Sequence, residues 1–200
     1  MRQDKVLVFS SREICYFSSN FFANQIAAAF EKLGMETEVC ELTKGDDLDE
    51  KLECYIGESY RLILDFNSML PRMVLDDDSS YLDNIDAPFY DYILDHPLFH
   101  YNGLNGAVSN FHAIALDEAQ TAYIRRFHPQ IKTVHTMPLA ATEAIWQGEK
   151  KTPDHVLFMG TYDSPEAVYQ LVEEAPAGVR EMMDAVIEQR IADPLLTMEE

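Results

Sequence analysis

Hydrophobic and polar positions alternate along this chain in blocks that change period from strand-like to helical and back. Residues 5–9, Lys-Val-Leu-Val-Phe, form a short apolar run followed by Ser10-Ser11-Arg12. Phe22, Ile26, Ala29, Phe30 and Leu33 then recur at helical spacing until Gly34, a residue suited to closing a helix. Residues 36–42 read as a second strand. Leu48, Leu52 and Ile56 share one face of a short helix over 48–56, ended by Gly57. Residues 60–66 are apolar almost throughout, as in a strand covered on both faces, and stop at Asn67-Ser68. A polar, aspartate-rich segment over 76–86 precedes a fourth strand at 89–94 and a fifth at 111–117. Asp117 and Gln120 fit a capping box for a helix running to about Phe127: the Asp takes an orphan N–H and the Gln reaches back. A sixth strand, 131–137, is stopped by Pro138. Strands alternating with helices predict the α/β class, with a doubly wound, mostly parallel, Rossmann-like sheet. Right-handed crossovers bring the carboxyl ends of its strands to one side.

From 140 to 154 the composition shifts to Thr, Glu, Gln, Gly, Lys and Pro, a linker pattern, after which the alternation restarts. Residues 155–159 read as a strand, 160–165 as a loop, and Pro165 as a helix start, where its missing N–H costs nothing. A last helix over about 179–191 carries Met182, Met183, Val186 and Ile187 on one side. The expected organisation is therefore an N-terminal Rossmann-like domain over 1–139, a linker over 140–154, and over 155–200 either the beginning of a second such domain or elements that pack back on the first. One strand and two helices cannot close a second sheet domain.

Composition narrows the function. Two hundred residues, 47% hydrophobic, are enough for a sizeable core. Fifteen basic against 35 acidic residues, a formal charge of −20, repel phosphate backbones and anionic lipid, so nucleic acid and membrane surfaces are not expected partners. The start, Met-Arg-Gln-Asp-Lys, runs into an apolar stretch too short for a signal peptide or a bilayer span, which points to a cytoplasmic protein. Cys15, Cys40 and Cys54 show neither Cys-x-x-Cys nor zinc-like spacing and read as reduced thiols without a structural metal. None of the eight glycines forms Gly-x-Gly-x-x-Gly or a Walker loop, which removes the usual dinucleotide and P-loop fingerprints.

Candidate chemistry gathers where the fourth strand breaks off in Asp95-His96-Pro97, with His100 four residues after His96. In open α/β sheets, ligands bind beyond the carboxyl ends of the strands, so titratable groups there suit recognition or acid/base work. The competing reading has Asp95 capping a short helix that begins at Pro97 while the histidines bond locally. A metal on His96 and His100 lacks a third ligand, and none is expected. Asp76-Asp77-Asp78 reads as solvated surface.

The ordered set of motifs carries a family resemblance. It comprises the 5–9 strand with Ser10-Ser11-Arg12, Leu64-Asp-Phe-Asn67, Asp95-His-Pro-Leu-Phe-His100 and Asp117 followed by Tyr123-Ile-Arg-Arg-Phe-His-Pro129. Met137-Pro-Leu139 and Leu157-Phe-Met-Gly-Thr161 complete it. Over nearly its whole length the chain resembles the N-terminal part of a bacterial GT-B glycosyltransferase-like family, the CgeB-related group, whose N-terminal region is a domain of unknown function. The resemblance implies two Rossmann-like domains facing a cleft, an acceptor held mostly by the first and a nucleotide-sugar, as co-substrate rather than cofactor, mostly by the second. The 200 residues reach only the first strand, the Gly160-Thr161 turn and the following helices of that second domain. Transfer by this chain alone is therefore not expected.

Glycosyl transfer needs an acceptor hydroxyl made nucleophilic by a base and stabilisation of a leaving diphosphate. Asp95, His96 and His100 are the candidates for the first task. Asn67 could hold a sugar hydroxyl, or end its strand because asparagine tolerates turn geometry. Ser10, Ser11 and Arg12 could meet a phosphate or sugar, or form a solvated loop. Gly160 and Thr161 could admit a donor phosphate to the backbone, or make a plain tight turn. The alternative function is a non-catalytic glycan- or protein-binding module derived from a transferase domain. A flavodoxin-like or receiver-like signalling domain is disfavoured, because Ser10 and Ser11 stand where such domains gather acidic residues.

Overall fold

Residues 4–11, 18–140 and 164–196 are described by a computed structural model. The chain divides into two units, Met1–Ala141 and Thr142–Glu200. In the first unit, β1 (Lys5–Ser11), β2 (Glu36–Leu42), β3 (Leu62–Phe66), β4 (Phe89–Ile93), β5 (Phe111–Ala115) and β6 (Thr133–Thr136) build one six-stranded sheet. Every pairing is parallel, and the strand order is β2-β1-β3-β4-β5-β6.

Side chains that alternate along these strands feed two separate apolar layers. On one face Val6, Val8, Leu64, Phe66 and Tyr92 pack with Ala23 of α1 (Ser18–Lys32). On the other, Leu7, Phe9, Ile63, Phe89, Ile93 and Phe111 pack with Leu52 of α2 (Leu48–Glu53), Leu104 of α3 (Tyr101–Leu104) and Ile124 of α4 (Glu118–Phe127). Helices thus cover both faces, and the sheet is Rossmann-like and doubly wound. Because β1 is flanked by β2 and β3, the chain leaves it on one face and returns across the other, which creates a topological switch point between β1 and β3.

Several local details differ from the sequence pattern. The helix at 48 ends at Glu53, and Ile56 is 39% exposed beyond it. The aspartate-rich segment 76–86 keeps Asp76, Asp77 and Asp78 in solvent, yet buries Tyr81, Leu82 and Ile85 in the core. Tyr81 anchors that segment by donating its hydroxyl to the Leu52 carbonyl at 3.1 Å. The aspartates mask this apolar triplet because its spacing matches neither a strand nor a helix of useful length. At α4, Asp117 accepts from the Gln120 N–H at 2.8 Å, while Gln120 reaches past the cap to the Leu116 N–H at 3.2 Å.

In the second unit the described elements are α5 (Pro165–Glu173), with its proline in the first turn, and α6 (Ala177–Ala192). No residue of α6 is buried, and Met182 and Val186 are exposed. The strand expected at 155–159 lies outside the described residues, as do most of the linker, Arg12, Cys15, Gly160 and Thr161. Cys40 is buried, Cys54 exposed, and both are free thiols. Among the described residues no helix is long and apolar enough to cross a membrane, and no three acidic, histidine or cysteine side chains group to hold a metal.

Candidate functional site

The switch point opens a cleft of about 430 Å³ at the carboxyl ends of β2, β1 and β3. Its polar lining includes Ser10, Ser11, Thr43, Asp65, Asn67 and Ser68, and its apolar wall includes Leu42, Leu48, Leu70 and Met73. Ser10 and Ser11 end β1. Ser10 is buried, and the Ser11 N–H donates to Ser19 Oγ at 3.1 Å, which ties the strand end to the first turn of α1.

Asn67 follows β3 and sits in the left-handed region, with φ 49°. Its backbone N–H donates to the Tyr92 carbonyl at 3.2 Å, its Oδ1 accepts from the Leu94 N–H at 2.8 Å, and its Nδ2 donates to Asp95 Oδ2 at 2.9 Å. Asparagine is among the few residues that enter this backbone region readily, and here the same side chain fastens the end of β3 to the end of β4. Its amide is thereby engaged on both sides within the protein.

Asp95 Oδ2 also lies 3.7 Å from His100 Nε2, beyond hydrogen-bond length but within reach of an ion pair when the ring is protonated. Asp95 is half exposed, whereas the His100 side chain is only 13% exposed. Burial holds the His100 pKa below the ordinary histidine value despite the nearby carboxylate, so the ring is neutral at neutral pH. His96 is turned elsewhere: its Nδ1 accepts from the Leu98 N–H at 3.2 Å and caps the 3-10 turn Pro97–His100. Its ring stands edge-on to Phe99 and Tyr123. The cap considered for Asp95 is thus made by His96, which leaves the Asp95 carboxylate to Asn67 and His100. Of the sequence candidates, Asn67, Asp95 and His100 come together at the β3–β4 edge, Ser10 and Ser11 line the adjoining cleft, and Arg12, Gly160 and Thr161 lie outside the described residues.

Two further residues escaped the sequence reading. Asp65 on β3 and Asp91 on β4 are register partners, on the same sheet face as Ile63 and Phe89. Asp91 is completely buried, and Asp65, 9% exposed, lines the cleft. Asp91 Oδ1 accepts from the Ser68 N–H at 3.0 Å, while its Oδ2 has no partner among the described residues. Asp65 Oδ1 accepts from the Phe66 N–H at 2.7 Å. Burial pushes the Asp65 pKa up to about 6 against the opposing pull of the Ser68 hydroxyl and the Phe66 N–H. Burial and then the neighbouring Asp65 charge push Asp91 well above the usual carboxylate range. The available signal was a carboxylate inside each of two otherwise apolar strands, Leu64-Asp65-Phe66 and Tyr90-Asp91-Tyr92.

The remaining buried histidines have bonding roles in the scaffold. His112 contacts Thr133 Oγ1 at 2.7 Å and Asn110 Oδ1 at 3.1 Å, and His128 contacts Asn105 Oδ1 at 3.0 Å. Compared with known proteins, the chain matches no family model, no curated sequence and no solved structure.

Proposed function

We propose that this chain is the acceptor-side portion of a GT-B-type glycosyltransferase, which moves a sugar from a nucleotide-sugar to a hydroxyl-bearing acceptor. The observation that carries the reading is the Asn67–Asp95–His100 arrangement beside the switch-point cleft: a neutral imidazole next to a carboxylate that an amide holds in place. In the tautomer with its proton on Nε2, His100 faces Asp95 with that N–H and offers Nδ1 as the base for an acceptor hydroxyl. Asp95 then stabilises the imidazolium that forms, as a carboxylate does beside a catalytic histidine in other acyl- and group-transfer sites. Asn67 acts as a positioning residue for Asp95. The hydroxyl and amide groups of the cleft suit a polar acceptor, and its apolar wall suits the face of a sugar ring or an aglycone. The backbone at Gly160 and Thr161 is the proposed contact for the donor diphosphate.

The test is release of nucleoside diphosphate by the full-length protein from a panel of UDP-, GDP- and dTDP-sugars in the presence of glycan acceptors. Replacing His100 with Gln is expected to lower kcat by about 10²- to 10⁴-fold, the usual share of a general base, with an unchanged thermal midpoint. Undiminished turnover in that variant removes His100 from catalysis. A thermal shift with glycans but with no nucleotide-sugar reverses the reading in favour of a binding module.

A further inference from the structure

Asp65 and Asp91 take no part in the arrangement around His100. They are register partners on adjacent parallel strands, whose backbones run about 4.8 Å apart, and both side chains face the same buried layer. Among the described residues no cation acts on them: Asp65 feels the Ser68 hydroxyl and the Phe66 N–H, and Asp91 feels the Asp65 charge and the Ser68 N–H. The other titratable groups of that layer, Cys40, Tyr55, Tyr60 and Tyr81, are kept protonated by burial. Two ionised carboxylates cannot persist side by side in such surroundings, and a bare buried carboxylate oxygen such as Asp91 Oδ2 is costly to maintain. One proton held between the two groups answers both difficulties, because the protonated member donates to the other.

We propose that Asp65 and Asp91 form a proton-sharing carboxyl pair at the floor of the switch-point cleft, and that Asp65 presents this pair to a hydroxyl group of a neutral ligand seated there. Asp65 is the member that reaches the cleft, while Asp91 stands behind it, fixed by the Ser68 N–H. A hydroxyl both donates and accepts, so it matches a carboxyl pair that itself holds one proton. Ser10, Ser11, Thr43 and Ser68 extend the same two-way bonding along the cleft. An ammonium ligand would have to displace the shared proton, and Lys44 on the lining opposes it; an anion would meet the carboxylate charge. The inference rests on the transferase reading only in naming this hydroxyl the acceptor's. Binding itself requires no donor.

The experiment follows the side-chain carboxyl ¹³C signals of Asp65 and Asp91 in the intact chain from about pH 4 to about pH 9, in wild type and in the Asp65→Asn and Asp91→Asn variants. Methyl α-D-glucopyranoside is the hydroxyl probe and methylammonium chloride the cationic one. The pair is expected to retain one proton near neutrality, and Asp91→Asn is expected to move the titration of Asp65 toward the ordinary range. The glucoside should shift the Asp65 signal saturably, with affinity weakened about tenfold or more in Asp65→Asn, the usual cost of losing a hydrogen bond to a charged group. Methylammonium should leave the signal in place. An Asp65 titration indifferent to Asp91→Asn, no response to the glucoside, or a response to methylammonium in its place overturns the proposal. Both variants are close in shape to the protonated carboxyl, so the fold is retained for the comparison. Glucoside binding without any nucleotide-sugar turnover would defeat the transferase reading alone, whereas turnover undiminished in Asp65→Asn with no glucoside response would defeat the carboxyl pair alone.

Discussion

At Asn67, a left-handed backbone and three hydrogen bonds to β4 and its continuation coincide in one residue. Replacement by Gly keeps the backbone comfortable and removes both side-chain bonds. Replacement by Ala removes the same bonds and adds a Cβ to a left-handed conformation. The expected losses are about 1–3 kcal/mol for Asn67→Gly and about 1 kcal/mol more for Asn67→Ala, measured by urea unfolding. Equal losses would mean that the backbone conformation carries no strain. Read along the chain, Asn67 marked the end of a strand, and its turn-forming character was legible from residue type. Its bond to Asp95 was not, because the partners stand 28 positions apart in the chain and no local pattern encodes their meeting. His96 and Asp95 show the same limit: neighbouring side chains of similar capping ability take different tasks once packing selects which one turns inward.

Among the elements, the short α3 and the 3-10 turn at Leu70–Arg72 come together through glycines. A Cβ on Gly103 would run into the Ser68 carbonyl, and one on Gly106 into the Pro71 carbonyl and ring. Backbone atoms cannot swing aside as a flexible side chain can, so Gly103→Ala must displace the segment after β3. The expected cost is about 1–3 kcal/mol in chemical denaturation, in line with overpacking elsewhere. Because the Ser68 N–H holds Asp91, the substitution should also change the titration of the carboxyl pair. An unchanged titration would separate this packing contact from the cleft. Long elements were legible because apolar residues repeat along them with a period of two or 3.6. The 3-10 turn at Leu70–Arg72, α3 and the buried Tyr81-Leu82 pair were not, since fewer than two turns of helix leave no period to read, whereas the turn at Pro97 showed through its proline.

For the molecule as a whole, burial sets two opposing pH dependences. Asp65 and Asp91 have raised pKa values, so the native state holds more protons than the unfolded chain above the ordinary aspartate value. Their stabilising contribution, complete in acid, is lost as pH rises, between about pH 4 and 6 through Asp65 and further upward through Asp91. His100, His112 and His128 have lowered values, so their contribution is present above the ordinary histidine value and lost as pH falls. The histidines fall silent only about one pH unit above their ordinary value of 6.5, so from about pH 7.5 to about pH 8 Asp91 is the one of these groups left to act. Wild-type stability there is expected to decline by up to about 1.4 kcal/mol per pH unit, and Asp91→Asn should flatten the decline. Urea unfolding at fixed ionic strength checks this, since salt also screens the repulsion of a chain with net charge −20. An equal slope in the variant would show that Asp91 does not titrate in that window.

The α/β class, the six strands and their sequence order, and the exposed aspartate run all follow from residue type and short-range periodicity, because each depends on interactions within a few positions of the chain. The pairing of β3 with β4, the switch-point cleft between β1 and β3, and the meeting of Asp65 with Asp91 and of Asn67 with Asp95 belong to the folded sheet. Those contacts depend on strand order and register across 20 or more residues, where the burial of two apolar layers, rather than any local preference, selects which side chains become neighbours.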